Sequence, residues 1–307
     1  MVAVLYVSVL ADLTTIGGEL AALTAAFLWA VASVMFGRLG KTLSPLVLNF
    51  AKGAIALVLL TLTLLLISQD PAGLAPRSVG VLALSGAIGI GLGDTAYFAA
   101  INHLGPRRAL LLETLAPPLA ALLALVFLQE SLGGRAWLGI ATTLAGVVWV
   151  IAERVPGSPG EAPSAWGIGL GVLAALGQAL GAVMSRAVLA DTAVDPLWST
   201  LLRLGGGLVI ILGILRWRGP VAGSLRPLQS PRLLGGVALA AFLGTYLAIY
   251  LQQTALKYSA TGIAQALTST SPLFVLPLAA AMGDRVSPRA IVGAAIALVG
   301  IGLLVTG

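Results

Sequence analysis

The chain has 307 residues, of which 59% are apolar and 9% charged, against about 25% charged in an ordinary soluble domain. So few charges cannot cover a water-facing surface, which excludes a soluble globular fold and predicts an all-α integral membrane protein whose outer surface meets lipid. The net charge of +6 is carried by residues that sit mostly between apolar blocks, with no basic run interleaved with aromatics, so nucleic acid is not an expected partner, and the absence of cysteine excludes disulfides, thiolate metal sites and cysteine nucleophiles.

Residues 1–17 form an apolar lead-in that is too short to span and lacks the basic start and cleavage site of a signal peptide. Ten apolar blocks follow, at 18–38, 45–67, 78–102, 107–129, 134–152, 165–189, 196–217, 232–256, 259–282 and 288–306. Each is long enough to cross roughly 30 Å of hydrocarbon. Ser44-Pro45, Asp70-Pro71, Gly105-Pro106, Asp195-Pro196, Ser230-Pro231 and Ser287-Pro288 stand at or just before helix starts, where proline is tolerated. Only the segment 154–164, with Pro156, Pro159 and Pro163 among glycine and serine, reads as a linker, and it lies at the middle of the chain.

Candidate binding residues are the polar and aromatic side chains inside these blocks, because ionisable groups at membrane depth are costly and often functional. In the first block Trp29, Ser33 and Phe36 recur at helical spacing, and in the second Lys52 stands about 10 Å inward of its proline. The third holds Asp94 with Tyr97 on the same face; Asp94 is either a site for a cargo amine or a proton, or a carboxyl that ties two helices together. In the fourth, Glu113 precedes Pro117 and Pro118, which remove two backbone donors and break the helix where it can line a cavity. Gln178 of the sixth block pairs roughly with Trp29 in the repeat described below. Arg203 of the seventh matches Lys52, and both are expected to snorkel toward the headgroups, the alternative being a gate or a carboxylate partner. The eighth block offers Tyr246, Tyr250 and Gln253, whose polar tips suit an amphipathic cargo. In the ninth, Gln265, Thr268, Ser269 and Pro272 share one face of the most polar stretch in any block.

The two halves repeat. One constant offset pairs Thr114 with Thr268, Pro118 with Pro272, Leu119 with Leu273, Arg135 with Arg289, Gly139 with Gly293 and Gly146 with Gly300, and sets Glu130 opposite Asp284; a slightly shorter offset pairs Pro45 with Pro196 and Lys52 with Arg203. Residues 18–153 and 165–307 are then two five-helix units. An odd number of spans leaves the second unit upside down, so two inverted repeats are expected, with a binding site near the midplane where they meet.

Three segments resemble the EamA-type family of the drug/metabolite transporter superfamily. They are Phe27-Leu28-Trp29-Ala30-Val31-Ala32-Ser33, Gly93-Asp94-Thr95-Ala96-Tyr97-Phe98-Ala99-Ala100 up to Gly105, and Phe127-Leu128-Gln129-Glu130-Ser131-Leu132 followed by Gly139 and Gly146. The third returns in weaker form as Met282-Gly283-Asp284-Arg285-Val286 before Gly293 and Gly300, with Asp284 where the family usually has glutamate. The resemblance implies a secondary transporter, an exporter of amino acids, related metabolites or toxic organic compounds, multi-pass in the plasma or inner membrane and working by alternating access. It also implies both termini inside, whereas the bias of arginine and lysine among the loops favours both outside.

The expected partners are a small-molecule cargo and the bilayer, the expected state is a monomer, and no cofactor or metal is expected. A membrane-embedded enzyme would need a nucleophile–base pair or a metal cluster at depth. The chain has a single histidine, His103, and neither H-E-x-x-H nor G-x-S-x-G. A channel would need rings of like residues or one continuous polar stripe.

Overall fold

The computed structural model describes residues 2–67, 71, 73–104, 109, 112–151, 164–190, 192–219, 223, 225–281 and 288–305. Among them every regular element is a helix. In chain order these are α1 (Val2–Leu39), α2 (Pro45–Ile67), α3 (Pro76–Leu104), α4 (Ala116–Phe127), α5 (Gly134–Ile151), α6 (Ala165–Leu189), α7 (Pro196–Arg218), α8 (Pro231–Tyr258), α9 (Thr261–Thr268), α10 (Ser271–Ala281) and α11 (Pro288–Val305). Six segments are long and apolar enough to cross a membrane: Gly17–Leu39 of α1, and all of α2, α3, α6, α7 and α8. Shorter apolar helices cover Ala116–Phe127 and Ile291–Leu303.

Every predicted block therefore contains helix, with three differences. The lead-in is helical and continuous with the first block. Pro71 does not start a helix; α3 begins at Pro76, whereas Pro45, Pro196, Pro231 and Pro288 each open one. The fourth and ninth blocks are interrupted at their prolines, as described below. Residues 154–163 of the linker, Pro106 and Asp284 lie outside the described residues.

The starts of α7 and α6 are capped by side chains. The Asp195 carboxylate accepts from the Leu197 N–H at 2.8 Å, and the Ser164 hydroxyl accepts from Gly167 N–H at 3.3 Å. Large apolar side chains such as Leu65, Leu66, Val209 and Leu298 point outward, while α1 and α6 turn small residues inward, among them Ala22, Ala26, Ala30, Ala175, Ala179 and Gly181. This is the pattern of a protein solvated by lipid, where burial of leucine brings little and close backbone approach drives association.

The halves interlock. The third helix of each packs on the first two of the other: α3 on α6 and α7, α8 on α1 and α2. Helices α2 and α7 meet at the centre, and α5 and α11 form a separate pair. In that pair Gly146 abuts Gly293 and Ala297, and its repeat partner Gly300 abuts Thr143. A Cβ at either glycine would collide with the facing backbone. The later residue of α5 meets the earlier residues of α11 and the reverse, so the two helices pass in opposite directions through one self-complementary contact.

Candidate functional site

The middle of α3 is wound as a π-helix over Ala87–Asp94, and the middle of α8 likewise over Phe242–Leu247. Such widened turns recur at functional sites. Asn49 of α2 secures the first of them, donating to the Ile90 carbonyl at 2.8 Å and to the Thr95 hydroxyl at 2.9 Å. The π-turn ends on Asp94, which is 2% exposed. Its Oδ2 accepts from Lys52 Nζ at 2.5 Å and its Oδ1 from Gln178 Nε2 at 2.8 Å. The ammonium also stands 5.3 Å from the centre of the Phe98 ring, 5.8 Å from Trp29 and 5.9 Å from Phe36. One buried ionic contact thus joins α2 to α3 and, through Gln178, to α6.

Arg203 is placed by a tight crossing. Gly86 of α3 lies directly against the Arg203 backbone, where a Cβ could not fit. Its Nη1 donates to the Ser185 hydroxyl at 2.6 Å and to the Gly181 carbonyl at 3.4 Å, and Ser85 supports the same cluster through Gly181 at 2.7 Å and Ser185 at 3.0 Å. The snorkelling expected of Lys52 and Arg203 is not what occurs. Both are buried, 0% and 2% exposed, because α2 and α7 face each other at the centre and their cations point inward.

The interrupted helices complete the site. Proline lacks the N–H that would bond the carbonyl four residues back, and its ring crowds that carbonyl. For Pro272 this is the carbonyl of Thr268, where α9 stops; the Ser271 hydroxyl donates to it at 2.9 Å, and Thr270 donates to the Leu267 carbonyl at 2.6 Å. At the equivalent place in the first half, Thr114 and Leu115 form a turn before Pro117 and Pro118. Both breaks turn polar groups toward one cavity of about 90 Å³. That is room for several waters, where one needs roughly 10–15 Å³. Trp29, Asp94, Glu113, Gln178, Arg203 and Gln265 supply its polar and aromatic wall, with Thr114, Gln252, Thr268, Ser269, Ser271 and Pro272. Gln265 is held by Gln252 at 3.3 Å and by the Gln178 carbonyl at 3.5 Å. Glu113 Oε1 has no hydrogen-bond partner among the described residues.

Of the residues singled out in the sequence, Trp29, Asp94, Glu113, Gln178, Gln265, Thr268, Ser269 and Pro272 meet at this cavity. The others lie off it. Tyr97 is buried behind Trp29, ring centres 6.4 Å apart. Tyr246 stacks on Phe242 and shares a hydrogen bond of 2.8 Å with Thr63. Tyr250 packs with Ile90, Leu204 and Ile249. Gln253 accepts from Ser199 at 2.8 Å and ties α8 to α7. Pro117 and Pro118 make the break without lining the space. On α8 it is Ala248, Ile249 and Gln252 that face the cavity. Regular α-helical spacing puts Tyr246, Tyr250 and Gln253 on one face, but Tyr246 lies within the π-turn, which changes the register between it and the residues that follow. Arg203 and Gln252 were missed as lining residues, and so was Thr114, although its match to Thr268 was already visible in the repeat.

A second polar cluster ties helix ends together. Glu130, just after α4, accepts from Arg186 Nε at 2.6 Å and from the Thr261 N–H at 2.9 Å. Arg186 Nη1 also donates to the Leu256 and Lys257 carbonyls at 2.9 and 2.8 Å, and Lys257 donates to the Val194 carbonyl at 2.6 Å. The first half is thereby clasped to α6, α8 and α9 of the second.

The sequence profile described as the EamA-like transporter family matches residues 16–152 and again 165–306. No curated protein matches the chain. A solved structure titled only "Crystal structure of protein" superposes with a TM-score of 0.73 at 20% identity, over 93% of this chain and 95% of that one, which establishes a shared fold.

Proposed function

The chain belongs to the EamA-like transporter family, and from that premise we propose that it is a ten-span carrier of the plasma or inner membrane that exports amino acids or related small organic molecules by alternating access. The observation that carries this reading is a polar cavity at the junction of the two halves, walled by both proline breaks, inside an otherwise apolar body. Carriers of inverted-repeat design use discontinuous helices at such a place.

Inversion of the halves is supported by α5 and α11, whose repeat-equivalent residues meet in opposite directions. The cargo amine meets Glu113, whose carboxylate has an open hydrogen-bonding position, rather than Asp94, whose oxygens are taken by Lys52 and Gln178. Trp29 supplies contact area, and Gln178, Gln252 and Gln265 orient the cargo through their amides. The breaks at Thr114–Leu115 and Ser269–Thr270 let the inner helix segments shift without unwinding a whole span. The Glu130–Arg186 clasp closes one end while the cargo exchanges at the other. The work is translocation without a covalent step.

The reading is tested in proteoliposomes holding the purified full chain, with amino acids and amines as labelled solutes. Saturable counterflow, with trans-acceleration by unlabelled solute, is expected. Unsaturable flux would indicate a channel, and release of a chemically altered solute an enzyme; either would replace the carrier reading.

A further inference from the structure

Lys52 and Arg203 occupy equivalent places in the two halves, yet only Lys52 has a carboxylate in contact among the described residues. Lys52 holds Asp94. The offset that carries Lys52 to Arg203 carries Asp94 to Thr245, a buried hydroxyl, so the second half has the cation without the carboxylate. Arg203 is 2% exposed and, among the described residues, has no carboxylate within ion-pairing distance. Among the described residues its hydrogen-bond partners are neutral, the Ser185 hydroxyl and the Gly181 carbonyl, and its Nε is buried with no partner. The Asp94 carboxylate of the same cavity acts on Arg203 only across a distance, so the guanidinium is held out of water with no anion in contact, a cost it recovers when one arrives. Arg203 also lines the cavity.

We propose that Arg203 is the anion subsite of this cavity and that the cargo carries a carboxylate which takes, in the second half, the place Asp94 holds in the first. The planar fork of the guanidinium matches a carboxylate. Glu113 shares the cavity, so a cargo with one amine and one carboxylate spans from Glu113 to Arg203, whereas an amine with no acid group leaves Arg203 unpaired. The inference rests on the carrier reading for its meaning, but not for its measurement.

The experiment compares acids with their own amides: acetate with acetamide, isovalerate with isovaleramide, 3-phenylpropionate with 3-phenylpropionamide, and phenylalanine with phenylalaninamide. Binding to the purified full chain in detergent is read as the shift of its unfolding midpoint with ligand concentration. At least one acid is expected to bind roughly tenfold or more tightly than its amide, the scale of a hydrogen bond to a charged group. Arg203→Gln should abolish that preference and Arg203→Lys should keep part of it. If no pair discriminates in the unmodified protein, or if the preference survives in Arg203→Gln, the assignment is overturned. Should Arg203→Gln fail to fold, the unmodified protein and Arg203→Lys decide, the latter by a weakened preference as expected or an undiminished one against it. Counterflow of the same solutes separates the two readings. A carboxylate preference without counterflow would sink the carrier and leave the subsite, and counterflow indifferent to the acid group would do the opposite.

Discussion

Lys52 Nζ lies 2.5 Å from Asp94 Oδ2, with side-chain exposures of 0% and 3%, so an ion pair between α2 and the π-turn of α3 is buried away from lipid at the wall of the cavity. A buried pair of this kind adds little beyond what apolar packing would, but breaking it leaves a lone charge at a cost of about 3–5 kcal/mol. Asp94→Asn is therefore expected to lower stability by that order, as is Lys52→Met. The double variant Lys52→Met/Asp94→Leu should recover much of the loss. Denaturant unfolding in detergent across this cycle measures the coupling; additive losses would show that the two residues act independently.

Glu113 behaves differently because nothing in the described protein depends on its Oε1. Glu113→Gln keeps the shape and breaks no hydrogen bond at Oε1, so its unfolding midpoint should stay near that of the unmodified chain. Counterflow of an amine-bearing solute should fall roughly 10–100-fold, the value of one hydrogen bond to a charged group. A fall in stability with unchanged flux would place Glu113 in the scaffold and return the amine to another group.

Much of this was legible in the sequence, for identifiable reasons. Apolar block length gave the helices, and the pairing of Pro118 with Pro272 located both breaks, because a missing N–H and a ring clash act locally. Glu113, Gln265 and Thr268 could be found from their proximity to those prolines. The direction of Lys52 and Arg203 could not, since a long cationic side chain seven residues inside a span can reach headgroups or a partner, and only the crossing of α2 with α7 decides. The cavity face of α8 was hidden for another reason: the sequence does not announce the π-turn at Phe242–Leu247 that sets which residues follow on that face.

Glu130 serves two groups at once, Arg186 Nε and the first N–H of α9 at Thr261. Glu130→Gln weakens both contacts by removing the charge, and Arg186→Lys loses the fork that also reaches the Leu256 and Lys257 carbonyls. Either should loosen the clasp without emptying the cavity of its lining residues. Because the chain has no cysteine, spin labels at the exposed positions Ser131→Cys and Tyr258→Cys report on this end alone. The distance distribution between them should broaden and shift outward in Glu130→Gln. An identical distribution in both proteins would show that the cluster holds helix ends together without taking part in opening.

The break between α9 and α10 offers the sharpest test of whether the interruption serves transport. Alanine at position 272 restores the N–H that the Thr268 carbonyl lacks, and removes a residue that costs about 3 kcal/mol inside a helix. Pro272→Ala should let α9 and α10 join through Ser269 and Thr270, so the unfolding midpoint should hold or rise. Straightening would draw Thr268, Ser269 and Ser271 away from the cavity they now line. Counterflow should then fall about tenfold or more although the protein is no less stable, and Pro118→Ala should act in the same direction in the other half. A stable Pro272→Ala protein with undiminished counterflow would mean that the polar groups reach the cargo without the break, and the pivot assigned to it would have to be sought in the π-turns of α3 and α8 instead.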